Sequence, residues 1–476
     1  MIEKPEELFL AALTRLGHAD GFFLWKPAAR DRFRALVRDA TRQDPEWTAR
    51  FLSWLRTATP MRYVALVGAA AFAHERLAAG QPGMSRQVVD SVLRRADDPG
   101  LFLAYWRCAH GRALPKPVKR GISDAVTRLY DERALLAHDT GHADLSVPRS
   151  LLTVRTFRHS HEAEPTPAPY RFGDVIELVH PRARDPRQAD LYRHALDRRR
   201  RSRPEIPASL PLVGRHRRFL DGGLLPVAGD DLGLTWQRAS GVLRRPLGAD
   251  DWERLIPSMS LGDLVRCLTH FDAAGISFEA AMAVASRLAD PAAIRAAGLL
   301  PLRLAAARKA LTHQRWAPLL ERAAAHGLAT LPRIPGRTLI VFDDTVDDAA
   351  VLGLTLAQCC DTADIVTAEG KPFSVVPGES PLHGLHRWRS GDLPGVPLPF
   401  EPAVRNAFAG HDRVVIADGY REKLDDLDVP APVYLWTLNG EPAAPSRDRL
   451  VLAGMTDAAY PAIPWAEAAA QGIWPF

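Results

Sequence analysis

Hydrophobic positions in the first 330 residues recur at helical spacing. In the segment from Trp47 to Trp54, Trp47, Phe51 and Trp54 share one face, while Arg50 and Ser53 fall elsewhere. Four Asp-Pro pairs punctuate the pattern: Asp44-Pro45, Asp98-Pro99, Asp185-Pro186 and Asp290-Pro291. Each predicts a helix start. The Asp carboxylate can accept from the free N–H groups of a first turn, and Pro has no N–H to waste there. Alanine-rich stretches at 64–78 and 279–311 predict helices that pack closely. No strict repeat period is visible. The predicted architecture is therefore an α-solenoid-like stack of short amphipathic helices. Two stretches break the rhythm: a polar, Pro-rich loop at 159–170, and an arginine run from Arg198 to Arg203 with Pro204 and Pro207 after it.

The pattern changes near residue 330. Leu331-Pro332-Arg333-Ile334-Pro335-Gly336 is a linker signal. Short apolar runs follow at 338–342, 373–377, 413–417, 432–437 and 449–452. Helical patterns at Ala349–Cys360 and Glu401–Ala409 separate some of them. Strands alternating with helices predict an α/β domain with a mostly parallel sheet. The chain thus divides into a helical domain, 1–330, and an α/β domain, 337–476. Ligands of such sheets bind at the carboxyl ends of strands. Two acidic features sit there: Asp343-Asp344-Thr345-Val346-Asp347 after the first apolar run, and Asp418-Gly419 after a later one.

Composition adds limits. The length of 476 residues exceeds one ordinary core, and 47% hydrophobic content suffices to build two. The longest apolar stretch, about Val64 to Ala73, is too short to span a bilayer. Met1 to Glu7 has neither the basic nor the apolar region of a signal peptide. The four cysteines, Cys108, Cys267, Cys359 and Cys360, have no zinc-type spacing. The expected location is the cytoplasm, with no membrane partner. A net charge of +5 permits a polyanion partner. The segment Arg107–Arg120 concentrates that charge: Arg107, Arg112, Lys116, Lys119 and Arg120, with no acid among them. Pro115 and Pro117 mark a loop before a helix, and cations at a helix start make a phosphate site. The bland alternative is a solvated basic face.

Several segments, in order along the chain, carry a resemblance to a known family. They are Phe51-Leu-Ser-Trp-Leu-Arg56 with Met61-Arg62, the stretch His110–Arg120, Arg171–Pro181, Trp252–Pro257 and Leu300–Arg303. The helical part resembles the TROVE module of the Ro autoantigen and its bacterial orthologues. The α/β part, with Asp-x-Thr-x-Asp after its first strand, resembles a von Willebrand factor A domain. The resemblance implies a ring of HEAT-like helical hairpins with a Rossmann-like von Willebrand domain. It implies binding of small structured noncoding RNA (Y RNA-like) on a basic outer surface, and of single-stranded RNA ends in a central cavity. It further implies work in noncoding RNA quality control or as a ribonucleoprotein scaffold, with a nuclease or other RNA-processing protein as a further partner.

By this resemblance the RNA-binding residues are Arg112, Lys116, Lys119, Arg120, Arg155, Arg158, His159 and His180. For His180 the competing reading is a histidine closing a helix before Pro181. Four adjacent arginines at 198–201 cannot share one helical face, so the run reads as a phosphate-binding arm or a solvated loop. The von Willebrand resemblance implies a divalent metal, Mg²⁺, held by oxygen ligands. Asp343, Thr345, Asp347 and Asp418 are the candidates. Asp347 replaces a serine of the family pattern, and Val396 falls where a threonine is expected, so the site is degenerate, and a vestigial site with acids simply exposed at a strand end is the competing reading. No other cofactor and no catalytic motif is visible, and the expected activity is non-catalytic. A protein-interaction scaffold docking a partner through its strand ends is the alternative, and a metal-dependent hydrolase a distant third.

Overall fold

The computed structural model describes residues 4–17, 25–139, 170–201, 203–222, 235–243, 245–391, 399–418, 427–438 and 445–476. They form two compact units. One is helical and contains the described residues from 25 to 246, with the first residues of the chain and Phe476. The other contains 247–475 and a short N-terminal stretch from Phe9.

In the helical unit the Asp-Pro starts act through their carboxylates. Asp44 accepts from Trp47 N at 2.9 Å and Asp185 from Gln188 N at 2.7 Å. Asp290 does the same in the other unit, accepting from Ala292 N at 2.8 Å. Asp98 differs. Its helix, Asp98–His110, begins one residue earlier than expected, with Asp97 at the cap position, and the Asp98 carboxylate turns inward. It accepts from the backbone N–H of Arg94 and Arg95, both at 2.7 Å, and from Arg56 Nη2 at 3.0 Å and Arg62 Nε at 2.6 Å. A fully buried carboxylate needs such saturation, because an unpaired one would neutralise or unfold its surroundings.

The helix Lys116–Leu129 packs Val118, Gly121, Ile122, Ala125 and Val126 inward, a stripe of helical period. Its partner is the helix Ser85–Val92. Gly121 permits the approach: a Cβ there would lie 2.6 Å from the Arg86 carbonyl oxygen. Two ion pairs brace the same helices, Arg86 with Asp124 at 2.6 Å and Arg128 with Asp90 at 2.6 Å.

In the other unit, helices Ala249–Leu255 to Ala317–Leu328 precede a six-stranded sheet. The alanine-rich stretch 279–311 is not continuous. It divides into Phe278–Ala289, Pro291–Ala297 and Pro301–Ala310, at the Asp290 cap and at left-handed Gly298 (φ 58°). The strands are β1 (Ile334–Phe342), β2 (Cys360–Thr367), β3 (Pro372–Phe373), β4 (Arg413–Asp418), β5 (Val433–Thr437) and β6 (Arg449–Ala453), in the order β3-β2-β1-β4-β5-β6. All pairs are parallel except β2–β3. One face packs Leu339, Val341, Val414, Ile416, Val433 and Leu435 against Phe400, Ala403 and Val404 of the helix Phe400–Ala407.

Two further details depart from the sequence reading. β2 replaces the apolar run expected at 373–377, of which only Phe373 is paired. The half-polar β2, exposed at Asp361 and Thr362, carries too little hydrophobic signal to stand out. The expected linker at 331–336 is partly drawn into β1. Gly336 (φ 80°) forms an irregularity there, so close to Asp412 that a Cβ would lie 2.3 Å from its Oδ2. No helix among the described residues is long and apolar enough to cross a membrane.

Candidate nucleic-acid interface

The helix Lys116–Leu129 starts without a side-chain cap and without an acid in its first turn. Lys116, Lys119 and Arg120 stand at that start, Lys116 and Arg120 opposite the buried stripe and Lys119 beside it, on the side of Ile122 and Val126. Lys116 and Arg120 are exposed and Lys119 half-buried. Arg112 is exposed in the preceding loop, which Trp106 pins by donating from Nε1 to the Ala113 carbonyl at 3.0 Å. Among the described residues none of these four cations is in an ion pair. Cations beside the positive end of a helix dipole repel it, and an anion placed there relieves both. Arg107, by contrast, is engaged. Its Nη1 donates to Tyr170 Oη at 2.7 Å, and its guanidinium lies over the Tyr170 ring.

His180 sits elsewhere on the helical unit. It ends the helix Phe172–Val179 in a left-handed conformation (φ 50°, ψ 61°), with its ring exposed. Two residues on, the Arg182 carbonyl accepts from Thr127 Oγ1 at 3.1 Å, in the last turn of Lys116–Leu129. Lys116 and Thr127 are eleven residues apart, roughly 16 Å of helix at the usual rise. The structure therefore gathers Arg112, Lys116, Lys119 and Arg120, and sets His180 toward the other end of that helix. Arg155, Arg158 and His159 lie outside the described residues.

The arginine run is not a free arm throughout. Arg198 donates to the Asp139 carbonyl at 2.8 Å and pairs with its carboxylate at 3.0 Å. Arg199 pairs with Asp174 at 2.8 Å and with Glu177. These two tie the helix Pro186–Asp197 to its neighbours, and the exposed Arg200 and Arg201 remain without ion pairs among the described residues.

The acidic loop lies in the other unit. Asp343 continues β1, donating from its N–H to the Ala417 carbonyl at 2.9 Å. Its Oδ1 accepts from Thr345 N at 2.9 Å and from Thr345 Oγ1 at 2.6 Å. Asp418 ends β4 and is in register with Thr437, which ends β5. Asp343, Asp344, Asp418 and Thr437 are all buried. Thr437 escaped the sequence reading, because a lone threonine ending a strand carries no signal until the register is known. Asp347 is drawn away: its Oδ1 accepts from Arg389 Nε at 3.1 Å and Nη2 at 2.7 Å. Val396 lies outside the described residues. Among those residues, no three His, Cys, Asp or Glu are gathered as a metal site. The oxygen groups at the strand ends are the carboxylates of Asp343, Asp344 and Asp418, with the hydroxyls of Thr345 and Thr437. That set suits at most a hydrated hard cation.

Over this fold, the chain is similar to a solved structure, the Ro (RSR) protein of Deinococcus radiodurans. The likeness covers 98% of this chain and 99% of that one, with a TM-score of 0.66 and 17% identity. The two chains share a Ro-like fold. No family model matches, and no curated protein matches. The Ro-like likeness bears out the expected combination of a helix-rich part and a C-terminal α/β part with a mostly parallel sheet. At this identity it speaks for fold alone.

Proposed function

We propose that this chain is a non-catalytic RNA-binding protein that holds a structured small RNA on the helical unit, chiefly through phosphates and shape. The observation that carries the reading is the acid-free group Arg112, Lys116, Lys119 and Arg120, unpaired among the described residues at the start of an uncapped helix. The Ro-like fold and the sequence resemblance supply the context. His180 touches the same RNA at a distance along the surface. Binding of single-stranded ends and partnership with a nuclease belong to this reading as its finer parts. A divalent ion at Asp343 and Asp418 plays no role in it.

The test is equilibrium binding of a structured small RNA across a salt series. Replacing Lys116, Lys119 and Arg120 with Ala is expected to weaken binding by one to two orders of magnitude at moderate salt. The slope of log affinity against log salt is expected to fall by about 0.9 for each phosphate of duplex-like RNA that these side chains neutralise. Unchanged affinity and slope would remove this surface from the binding site.

A further inference from the structure

A stack of rings leads to the surface beside the loop that carries Arg112. His74 lies in the helix Arg62–Ala78, just past its buried run Val64–Ala73, and is exposed. His110 is the last residue of the helix Asp98–His110. The two imidazoles stack, with centroids 4.2 Å apart and planes 17° from parallel. The His110 ring also meets Trp106 at 4.8 Å, and Tyr105 edge-on at 6.4 Å. Trp106 is 2% exposed, so the stack runs from the core of the helical unit to its surface.

Cations border the stack on two elements. Trp106 Nε1 donates to the Ala113 carbonyl at 3.0 Å, so the ring under His110 also anchors the loop of Arg112. The second element is the helix Pro27–Gln43. Its Arg34 Nε donates to Tyr105 Oη at 3.2 Å. Its Arg42 pairs with Glu75, the neighbour of His74, at 2.7 Å. Arg38 is four residues from each of these arginines, so it shares their face, and it is exposed.

Burial, then His74, Arg34 and Arg38, push the His110 imidazole down to about 4. The inner ring is therefore neutral near neutral pH, and the stack carries no pair of charged imidazoles that would repel each other. The outer ring is laid flat on the inner one and meets solvent. A flat exposed ring among cations is what an unpaired nucleobase binds, the base on the ring and its phosphates on the guanidinium groups. A base inside a duplex has both faces covered by its neighbours and cannot enter.

We infer that His74, backed by His110 and Trp106, is a stacking platform for one unpaired base of the RNA that the Lys116 group holds. The inference rests on the proposed function and adds a contact of different chemistry. A ring takes a base here, where Lys116, Lys119 and Arg120 take phosphates. Every base has a flat face, so the platform tolerates sequence and favours the larger purines.

The test measures binding by the full-length chain at about pH 8, where an ordinary imidazole is neutral. Wild type, His74→Ala and His74→Phe are compared across a salt series. The probes are a structured small RNA with an unpaired adenine-rich loop, a single-stranded oligoadenylate, and an abasic ribose-phosphate oligomer of equal length. His74→Ala is expected to weaken binding of the first two by about tenfold, and His74→Phe to restore it. The salt slope is expected to stay unchanged, because a neutral ring displaces no counterion. The abasic oligomer is expected to bind all three proteins alike. Thermal midpoints check that the variants fold. Should His74→Ala not fold, His74→Gln keeps the bulk without the aromatic face and is expected to show the same loss.

Lost affinity with a lower slope would make His74 a phosphate contact and overturn the platform. Binding that depends on Lys116, Lys119 and Arg120 but not on residue 74 would keep the proposed function and overturn this inference. Oligoadenylate binding that needs a ring at residue 74, in a protein indifferent to structured RNA, would keep the platform and overturn the proposed function. A wild type that binds none of the probes would overturn both.

Discussion

Arg62 Nε donates to Asp98 Oδ1 at 2.6 Å, in a carboxylate with no exposed surface. Arg62 also pairs with Asp97 at 2.8 Å, and both acids raise its affinity for its proton against the cost of burial. The pair links the start of the helix Arg62–Ala78 to the start of Asp98–His110, and Arg56 adds the helix Pro45–Ala58. Replacing Asp98 with Ala would take one acceptor from each of two largely buried guanidinium groups and from two backbone N–H groups. The expected loss is about 3–5 kcal/mol. Urea unfolding followed by circular dichroism measures it, and a loss below about 1 kcal/mol would show that the network contributes little.

His180 holds a left-handed backbone, where a side chain is strained and glycine is not. His180→Gly is therefore expected to leave the fold intact and raise stability by up to roughly 1 kcal/mol. A fall in RNA affinity in that more stable variant would mark the ring as touching the ligand. Increased stability with unchanged affinity would mark it as a helix end alone.

Asp457 closes a helix from a distance. Its Oδ1 accepts from Leu302 N at 2.9 Å and its Oδ2 from Arg303 N at 3.2 Å, at the start of Pro301–Ala310. Burial outweighs these bonds and pushes its carboxyl up to about 6. A folded value above the unfolded one means that the folded state binds the proton more tightly. The contribution to stability is then full below about pH 4 and is lost as pH rises through about 6. Wild type is expected to lose up to about 3 kcal/mol across that window from this group, two units at about 1.4 each. Asp457→Asn should lack that part of the pH profile in urea midpoints. Parallel profiles would assign the pH dependence to other groups.

Arg389 decides how far Asp347 can serve a cation at the strand ends. With both bonds in place, Asp347 is committed elsewhere. Millimolar Mg²⁺ is expected to raise the thermal midpoint of Arg389→Ala more than that of wild type, and Asp418→Ala is expected to abolish either shift. Equal shifts in wild type and Arg389→Ala would exclude Asp347 as a ligand.

Much of this architecture was legible in the sequence because it depends on local physics. Asp-Pro starts need only their own first turn, so Asp44, Asp185 and Asp290 act as expected. The apolar runs of β1, β4 and β5 stand out because these central strands are buried on both faces. β2 was hidden because half of its residues face polar surroundings, and its identity comes from pairing with β1.

Charge behaved differently. The sequence by itself established which residues are cationic, where they cluster along the chain and that no acid interrupts Arg107–Arg120. It could not establish which cations are already neutralised, because ion pairs form between residues far apart in sequence. Only the tertiary structure decided that Arg198 and Arg199 serve Asp139, Asp174 and Glu177, and that Arg389 takes Asp347. It also decided that Arg238 donates to His216 and meets no carboxylate among the described residues. The physical reason is range: a helix cap is satisfied within three residues, whereas a buried charge is satisfied by whatever the fold brings beside it.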